Sequence, residues 1–388
     1  MKIFIDILIL LLSLSVLVCL HELGHLLVAK AFNVYCAEYS IGMGPLLFKV
    51  KKPGQETQFS IRMLPIGGYV AMAGEGSEEI EEFKDVPKER FLTGVARWKR
   101  ALIMVAGVTV NFILALLLFM GSGFASPILD QNKKNLIVHE NTTTPYLAET
   151  AGLTNDDVIK NVKYVFTIDG KENVVEKEIN DGRDLYSIVN LFNITDSGYY
   201  GSELSKPKSK ADTWKWVLTT EENKEVSFDV TTKEVTIHNA VDPDEIVLTW
   251  DTNRVGIDFH TRQRTFNEAM NRAGDEFINS VTSFSVLFQE GGWKNLGGVI
   301  SVYQVSSMAT DVGFYYYLYV WGFISLNLAI VNLLPFPGLD GWHLVVCAFE
   351  GIFRRDMPQK AKSIMSTIGM VLLFGLMIFV TILDILRL

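Results

Sequence analysis

Cysteine is scarce in this sequence: Cys19, Cys36 and Cys347 are the three present in 388 residues. All lie in or beside apolar blocks, and the polar stretch from 126 to 275 has none. That placement excludes a disulfide-stapled fold. Histidine is sparse too, with six. A surplus of positive charge is missing: the net charge is −9, which argues against a nucleic-acid partner, because phosphate binding needs a basic face. The first apolar block lacks a small-x-small cleavage site behind it and has only Lys2 ahead of it. Leu17 and Val18, before Cys19, are not the small residues of a lipidation site. The block is expected to be a retained span.

What the chain has in plenty is apolar length. Blocks near 3–20, 101–120, 312–334 and 363–383 approach or exceed the roughly 20 residues needed to cross a bilayer core of about 30 Å. Four transmembrane helices are expected. The loop from Lys30 to Arg100 carries eleven Lys and Arg, and Arg354, Arg355, Lys360 and Lys362 precede the fourth block. Positive loops stay in the cytoplasm, so both termini and the segment from about 126 to 275 are expected outside. The first and third spans then run parallel. Their C-terminal ends reach the same membrane face, and residues 21–25 can meet residues 330–341.

Residues 126–260 read as strands and loops, with β-branched alternation in "LIVHE", "VVEKEI", "EVSFDVTTKEVTIHNA" and "EIVLTW". A short amphipathic helix ending at Gly152, a strand and an Asp-Gly turn are expected over 144–172. Asn141 and Asn193 stand in Asn-x-Thr sequons, which matter only in a secretory pathway. Phe266, Met270, Phe277, Val281 and Phe284 recur at helical spacing, which predicts an amphipathic helix over 262–290. It is either interfacial or packed on the soluble domain. The expected domains are 1–125, 126–260, an amphipathic linker 261–311, and 312–388.

Within "VCLHELGHLL" (18–27), His21 and His25 are four apart and share one helix face. That spacing suits two nitrogens on zinc, with Glu22 beside them placed to act on a water. A catalytic site usually has a third protein ligand. In "NLLPFPGLDGWH" (332–343), Pro335 and Pro337 must break the helix. Asp340 follows that break near the same face and is the expected third ligand. His343 is the alternative, or else an orienting partner. His139, His238 and His260 fall on the far side.

"HELGH" and "NLLPFPGLDG" together resemble the two motifs of the site-2 protease family of intramembrane zinc metalloproteases (peptidase M50, RseP type). Asn332, Pro335, Pro337, Leu339, Asp340 and Gly341 all match the second motif. The resemblance implies that His21, His25 and Asp340 hold Zn2+, that Glu22 is the catalytic acid/base, and that Asn332 contacts substrate backbone. "LPIGGYVAMAGE" (64–75) resembles the family's membrane-associated β-hairpin. "WKRALIMVAGVTVNF" (98–112) resembles its second span, with Gly107 and Asn111 in a Gly-x-x-x-Asn pattern. The segment 126–260 is similar to a PDZ domain. Val108, Trp342, Asn155, the proline-free "NLGGVIS" (295–301) and the long stretch 176–250 depart from the pattern.

The fold class so implied is a polytopic α-helical membrane protein with four transmembrane helices, a membrane-associated β-hairpin and an extracytoplasmic PDZ-like α+β domain. It would sit in the inner (plasma) membrane with its active site toward the cytoplasm. The implied activity is cleavage of transmembrane segments of single-span proteins, such as an anti-sigma factor or remnant signal peptides. The substrate helix must locally unwind first, since its carbonyls are already bonded. The hairpin at 59–73, with Gly68 and Tyr69, would offer a strand edge, and Asn332, Pro335 and Pro337 would line the other side. Tyr69, with Met63 and Met72, reads more readily as packing than as recognition, and Asn111 as structural. The expected partners are transmembrane substrates, membrane lipid and peptide C-termini at the PDZ-like domain. The competing reading is a catalytically silent adaptor that binds chain ends. Glu22 argues against it, because an adaptor has no use for that residue.

Overall fold

A computed structural model describes residues 2–74, 83–141, 143–168, 171–189, 213–237, 245–250, 254–285, 289 and 297–387. Asn193, His238, the Asp-Gly pair 169–170, residues 295–296 of "NLGGVIS" and much of 176–250 lie outside the described residues. The chain divides into two compact units, one of residues 1–126 with 264–388 and one of residues 127–263.

The first unit opens with helix α1, Lys2–Ala31, which runs without proline and meets its first glycine at Gly24. It ends at Asn33, whose φ of 62° is left-handed. Asn33 N–H donates to Lys30 O at 3.0 Å and Val34 N–H to Ala29 O at 2.9 Å, which satisfies the last carbonyls of the helix. Strands β1, Cys36–Val50, and β2, Gln58–Met72, are antiparallel and fold back on each other. Glu38 pairs with both Gln58 and Ala71, and Tyr39 with both Phe59 and Val70. The first half of β1 therefore lies between the two halves of β2, while Val50 pairs with Phe59 and Leu46 with Arg62. Leu47, Phe48 and Met63 on this hairpin are exposed. Helix α2, Arg97–Ala125, follows.

The second unit contains β3 Ile128–Leu129, β4 Leu136–Val138, α3 Leu147–Thr150, β5 Ile159–Ile168, β6 Lys171–Glu178 and α4 Gly182–Val189. It continues with β7 Thr213–Thr220, β8 Glu225–Val230, β9 Thr232–Ile237, β10 Glu245–Trp250, β11 Ile257–Phe259 and β12 Thr261–Arg262. A four-stranded antiparallel sheet has the order β6-β5-β7-β8, and β9–β10, β4–β11 and β3–β12 form pairs. The alternation in β8 is a working one: Val226, Phe228 and Val230 are buried and the residues between them are not. Tyr164, Trp214 and Trp216 pack with ring centroids 4.9–5.2 Å apart and close the core. Asn155, where the family pattern expects glycine, accepts the Val138 N–H through Oδ1 at 2.6 Å.

The chain re-enters the first unit with α5, Phe266–Ser283, begun by Thr265 and Glu268 capping each other's backbone. This helix belongs to the first unit and not to the second, and it lies along α2. Phe266 meets Phe124 at 6.1 Å and Phe277 meets Phe112 at 5.9 Å, so the two helices run antiparallel. Helix α6, Val299–Val312, stops at Gly313, whose φ of 130° suits a residue without a side chain. Helices α7 Phe314–Leu333, α8 Asp340–Phe353 and α9 Gln359–Arg387 complete the unit. Among the described residues, four stretches are long and apolar enough to cross a membrane: Lys2–Ala31, Arg97–Ala125, Phe314–Leu333 and Lys360–Leu386.

Candidate metal and catalytic site

The site forms where α1, α2 and the α7–α8 turn converge. Two glycines allow α1 and α2 to close on each other. A Cβ on Gly24 would stand 2.7 Å from Ala106 O, and one on Gly107 would stand 2.3 Å from His25 Nε2. Gly107 thus leaves room for both imidazoles, since its Cβ would also meet His21 Cε1 at 2.8 Å. The rings of His21 and His25 sit edge to face, 4.8 Å apart.

Asp340 reaches them because α7 must stop. Leu334, ahead of Pro335, is extended at φ −61° and ψ 142°, as a residue before proline prefers. Pro335 and Pro337 carry no N–H to continue the ladder. Gly338, at φ 101°, turns the chain, and α8 begins at Asp340. The turn is tight: a Cβ on Gly341 would stand 2.2 Å from Leu334 O, and one on Gly369 of α9 1.9 Å from Pro337 O.

Asp340 Oδ2 lies 3.1 Å from His21 Nε2 and 3.3 Å from His25 Nε2, and the two Nε2 atoms are 3.1 Å apart. All three side chains are largely shielded, and Asp340 Oδ2 is buried without a hydrogen-bond partner. A triangle of three lone-pair donors with nothing at its centre is unstable unless a cation occupies it. A tetrahedral ion with bonds of about 2.0–2.2 Å spans donor–donor edges of about 3.3–3.6 Å, close to those observed. His25 supports this. Its Nδ1 meets Ile103 O at 2.8 Å, and a carbonyl only accepts. The proton is therefore on Nδ1, and the Nε2 lone pair points at the triangle. Two nitrogens and one carboxylate oxygen are a donor set suited to zinc.

Glu22, half-buried, does not join the triangle, and the backbone of Val70 in β2 lies against its carboxylate. His343 is half-buried beside the site, and among the described residues the ligand-forming group consists of His21, His25 and Asp340. Asn332 and Pro337 are half-buried and Pro335 is exposed. Gly68 is buried where β2 crosses α1, its Cβ position 2.6 Å from Ser40 O and 3.4 Å from Cys19 Sγ. Tyr69 donates to Glu38 at 2.9 Å, with the Arg62 guanidinium over its ring at 5.4 Å. Its hydroxyl is engaged within the hairpin. His139 and His260 fall in the second unit.

Sequence reasoning passed over Asn111 as structural. It is fully buried, and its carboxamide nitrogen lies 3.2 Å from His21 Nδ1. Two signals were available: an amide side chain inside an apolar run, and the four-residue spacing that puts it on one helix face with Gly107. The ion pairs of Glu350 with Arg100 at 2.9 Å and with Lys362 at 2.6 Å were also missed. Their partners are about 250 residues apart in one case, and no local pattern links them.

The model of the family described as "Peptidase family M50" matches residues 9–376. A Clostridium perfringens protein named "Putative zinc metalloprotease" is 31% identical over 390 residues, covering 97% of each chain. A Campylobacter jejuni protein of the same description is 30% identical over 385 residues, covering 97% of this chain and 92% of its own. Zinc metalloprotease RasP of Shouchella clausii is 26% identical over 446 residues, covering 95% of each.

Proposed function

Because the chain belongs to peptidase family M50, we propose that it cleaves peptide bonds within transmembrane segments of single-span membrane proteins, with His21, His25 and Asp340 holding zinc and Glu22 as acid/base. That the chain is a zinc metalloprotease follows from the family and from relatives matched over nearly their whole length. It is also an integral membrane protein, with four apolar helices of spanning length among the described residues. The observation that carries the site assignment is the buried triangle of His21, His25 and Asp340 with its orphaned carboxylate oxygen.

When bound, zinc supplies a Lewis acid that polarises a carbonyl and makes water acidic near neutral pH. The remaining work falls to the chain. Glu22, next to His21 on α1, takes the proton of the attacking water and delivers it to the leaving amine. The half-burial of this carboxylate keeps bulk water from competing for the proton. The β2 segment that carries Gly68 and Tyr69 runs past Glu22 and offers backbone groups to an unwound substrate. Asn332, on the last turn of α7, holds that substrate's backbone from the opposite side, next to Pro335 and Pro337. The exposed Leu47, Phe48 and Met63 favour a hairpin that dips into lipid. The basic loops orient the site toward the cytoplasm of a plasma membrane and the second unit outside it. In that unit a PDZ-like fold would take peptide C-termini and admit substrates already shortened outside.

The test is Glu22→Gln in the full chain with a single-span reporter. Cleavage is expected to fall by about 10²–10⁴-fold while zinc stays bound. An unchanged product pattern would end the proposal. Removing 130–258 should abolish any preference for shortened reporters.

A further inference from the structure

Resting on the ligand reading above, we infer that Asn111 is a positioning residue that fixes the tautomer of His21 and so makes its Nε2 a competent zinc ligand. His25 already has a proton acceptor for its Nδ1, the carbonyl of Ile103 at 2.8 Å. A metal-facing Nε2 on His21 requires the same: the one proton of the neutral ring must sit on Nδ1, and it needs an acceptor there. Asn111 meets that nitrogen, at 3.2 Å. The atom that meets Nδ1 is the carboxamide nitrogen, however, and its NH2 is a donor. That arrangement would push the proton to Nε2, into the triangle with Asp340 Oδ2 at 3.1 Å.

The two ends of a carboxamide have the same shape, and their assignment follows the hydrogen-bond network. The zinc-facing role of His21 Nε2 selects the turned form, because only an acceptor at Nδ1 keeps the Nε2 lone pair on the triangle. Asn111 Oδ1 is buried without a partner while the NH2 faces Nδ1. Turning the amide over brings Oδ1 against Nδ1–H and frees Nε2. The residue is held for this purpose. It has no exposure, and its own backbone carbonyl accepts from Ser325 Oγ of α7 at 3.0 Å. Gly107, one turn earlier on the same face, clears the space in which the two rings stand. The helix α2 thus serves both histidines, through a main-chain carbonyl for one and a side-chain carbonyl for the other.

The experiment measures zinc affinity of the purified full chain by chelator competition. Asn111→Leu keeps the branched shape and removes the acceptor, and affinity is expected to weaken about 10–100-fold. Asn111→Asp replaces the amide by a pure acceptor and is expected to bind zinc at least as tightly as the parent. A merely structural role predicts the reverse, with the buried aspartate tolerated worse than leucine. Parental affinity in Asn111→Leu overturns the inference, and so does equal loss in both variants. If Asn111→Leu does not fold, Asn111→Ala carries the same expectation. Failure of the parent itself to bind zinc, or retention after His21→Ala, would instead overturn the ligand assignment.

Discussion

In the second unit, the side chains with no exposure include Tyr164, Trp214 and Leu218, and among the described residues no charged side chain there is buried. In the first unit, the buried set includes His21, His25, Asn111, Arg100 and Glu350, whereas Leu372, Phe374 and Ile378 on α9 are each more than half exposed. The difference follows from the solvent each face meets. Water rewards apolar burial, so the second unit closes on aromatic rings. Lipid is as apolar as leucine and gives no such reward, so helices there associate through close packing and polar contacts. A polar interior is then the least unfavourable place for ionisable groups, and it is where chemistry can be done.

The largest expected effect breaks the polar interior at the site. Gly107→Ala puts a methyl 2.3 Å from His25 Nε2, and both imidazoles must move. Zinc content and cleavage should both fall to background, read by metal analysis and a reporter assay. A parental metal content would show that the rings do not stand where α2 meets them.

Next is the fully buried Glu350, bridging Arg100 and Lys362. Glu350→Leu leaves two cations without their partner and should cost about 3–5 kcal/mol, seen as earlier thermal unfolding. The double replacement of Glu350 and Arg100 by apolar residues should recover much of that loss.

In the second unit the rule reverses. Trp216→Ala should cost about 3–5 kcal/mol through cavity formation, while zinc content is unchanged. Loss of zinc in that variant would blur the distinction between the two interiors.

The smallest effect is on the surface. A hydrogen bond from Lys177 holds the Asp184 carboxyl down to about 2, from an ordinary 3.8. A carboxyl lowered on folding stabilises above its unfolded value, and that contribution is lost as pH falls through the folded one. Lys177→Met should therefore lower the melting temperature slightly at neutral pH. Parent and variant should converge as pH drops from about 4 to 2.

Much was legible in advance because some signals are local. A run of about 20 apolar residues can do little but span, and His21 and His25 share a face wherever the helix goes. The break at Pro335 and Pro337 was forced by the ring chemistry of proline. Helix α5 shows the limit. Its periodicity is evident, but an apolar stripe names no partner, and both the interfacial and the soluble-domain readings remained until Phe277 was seen against Phe112.

By itself the sequence determined the spans, the paired imidazoles, the acid beside them and the place where α7 ends, since each depends on residues within a few turns. Only the tertiary structure decided that Asp340 closes the triangle, that Asn111 and the Ile103 carbonyl serve the two rings, and that Gly107 clears the space between helices. Those relations join residues 78 to 319 positions apart. They exist only after α1, α2 and α8 have packed, because distance through space, unlike periodicity, is not written along the chain.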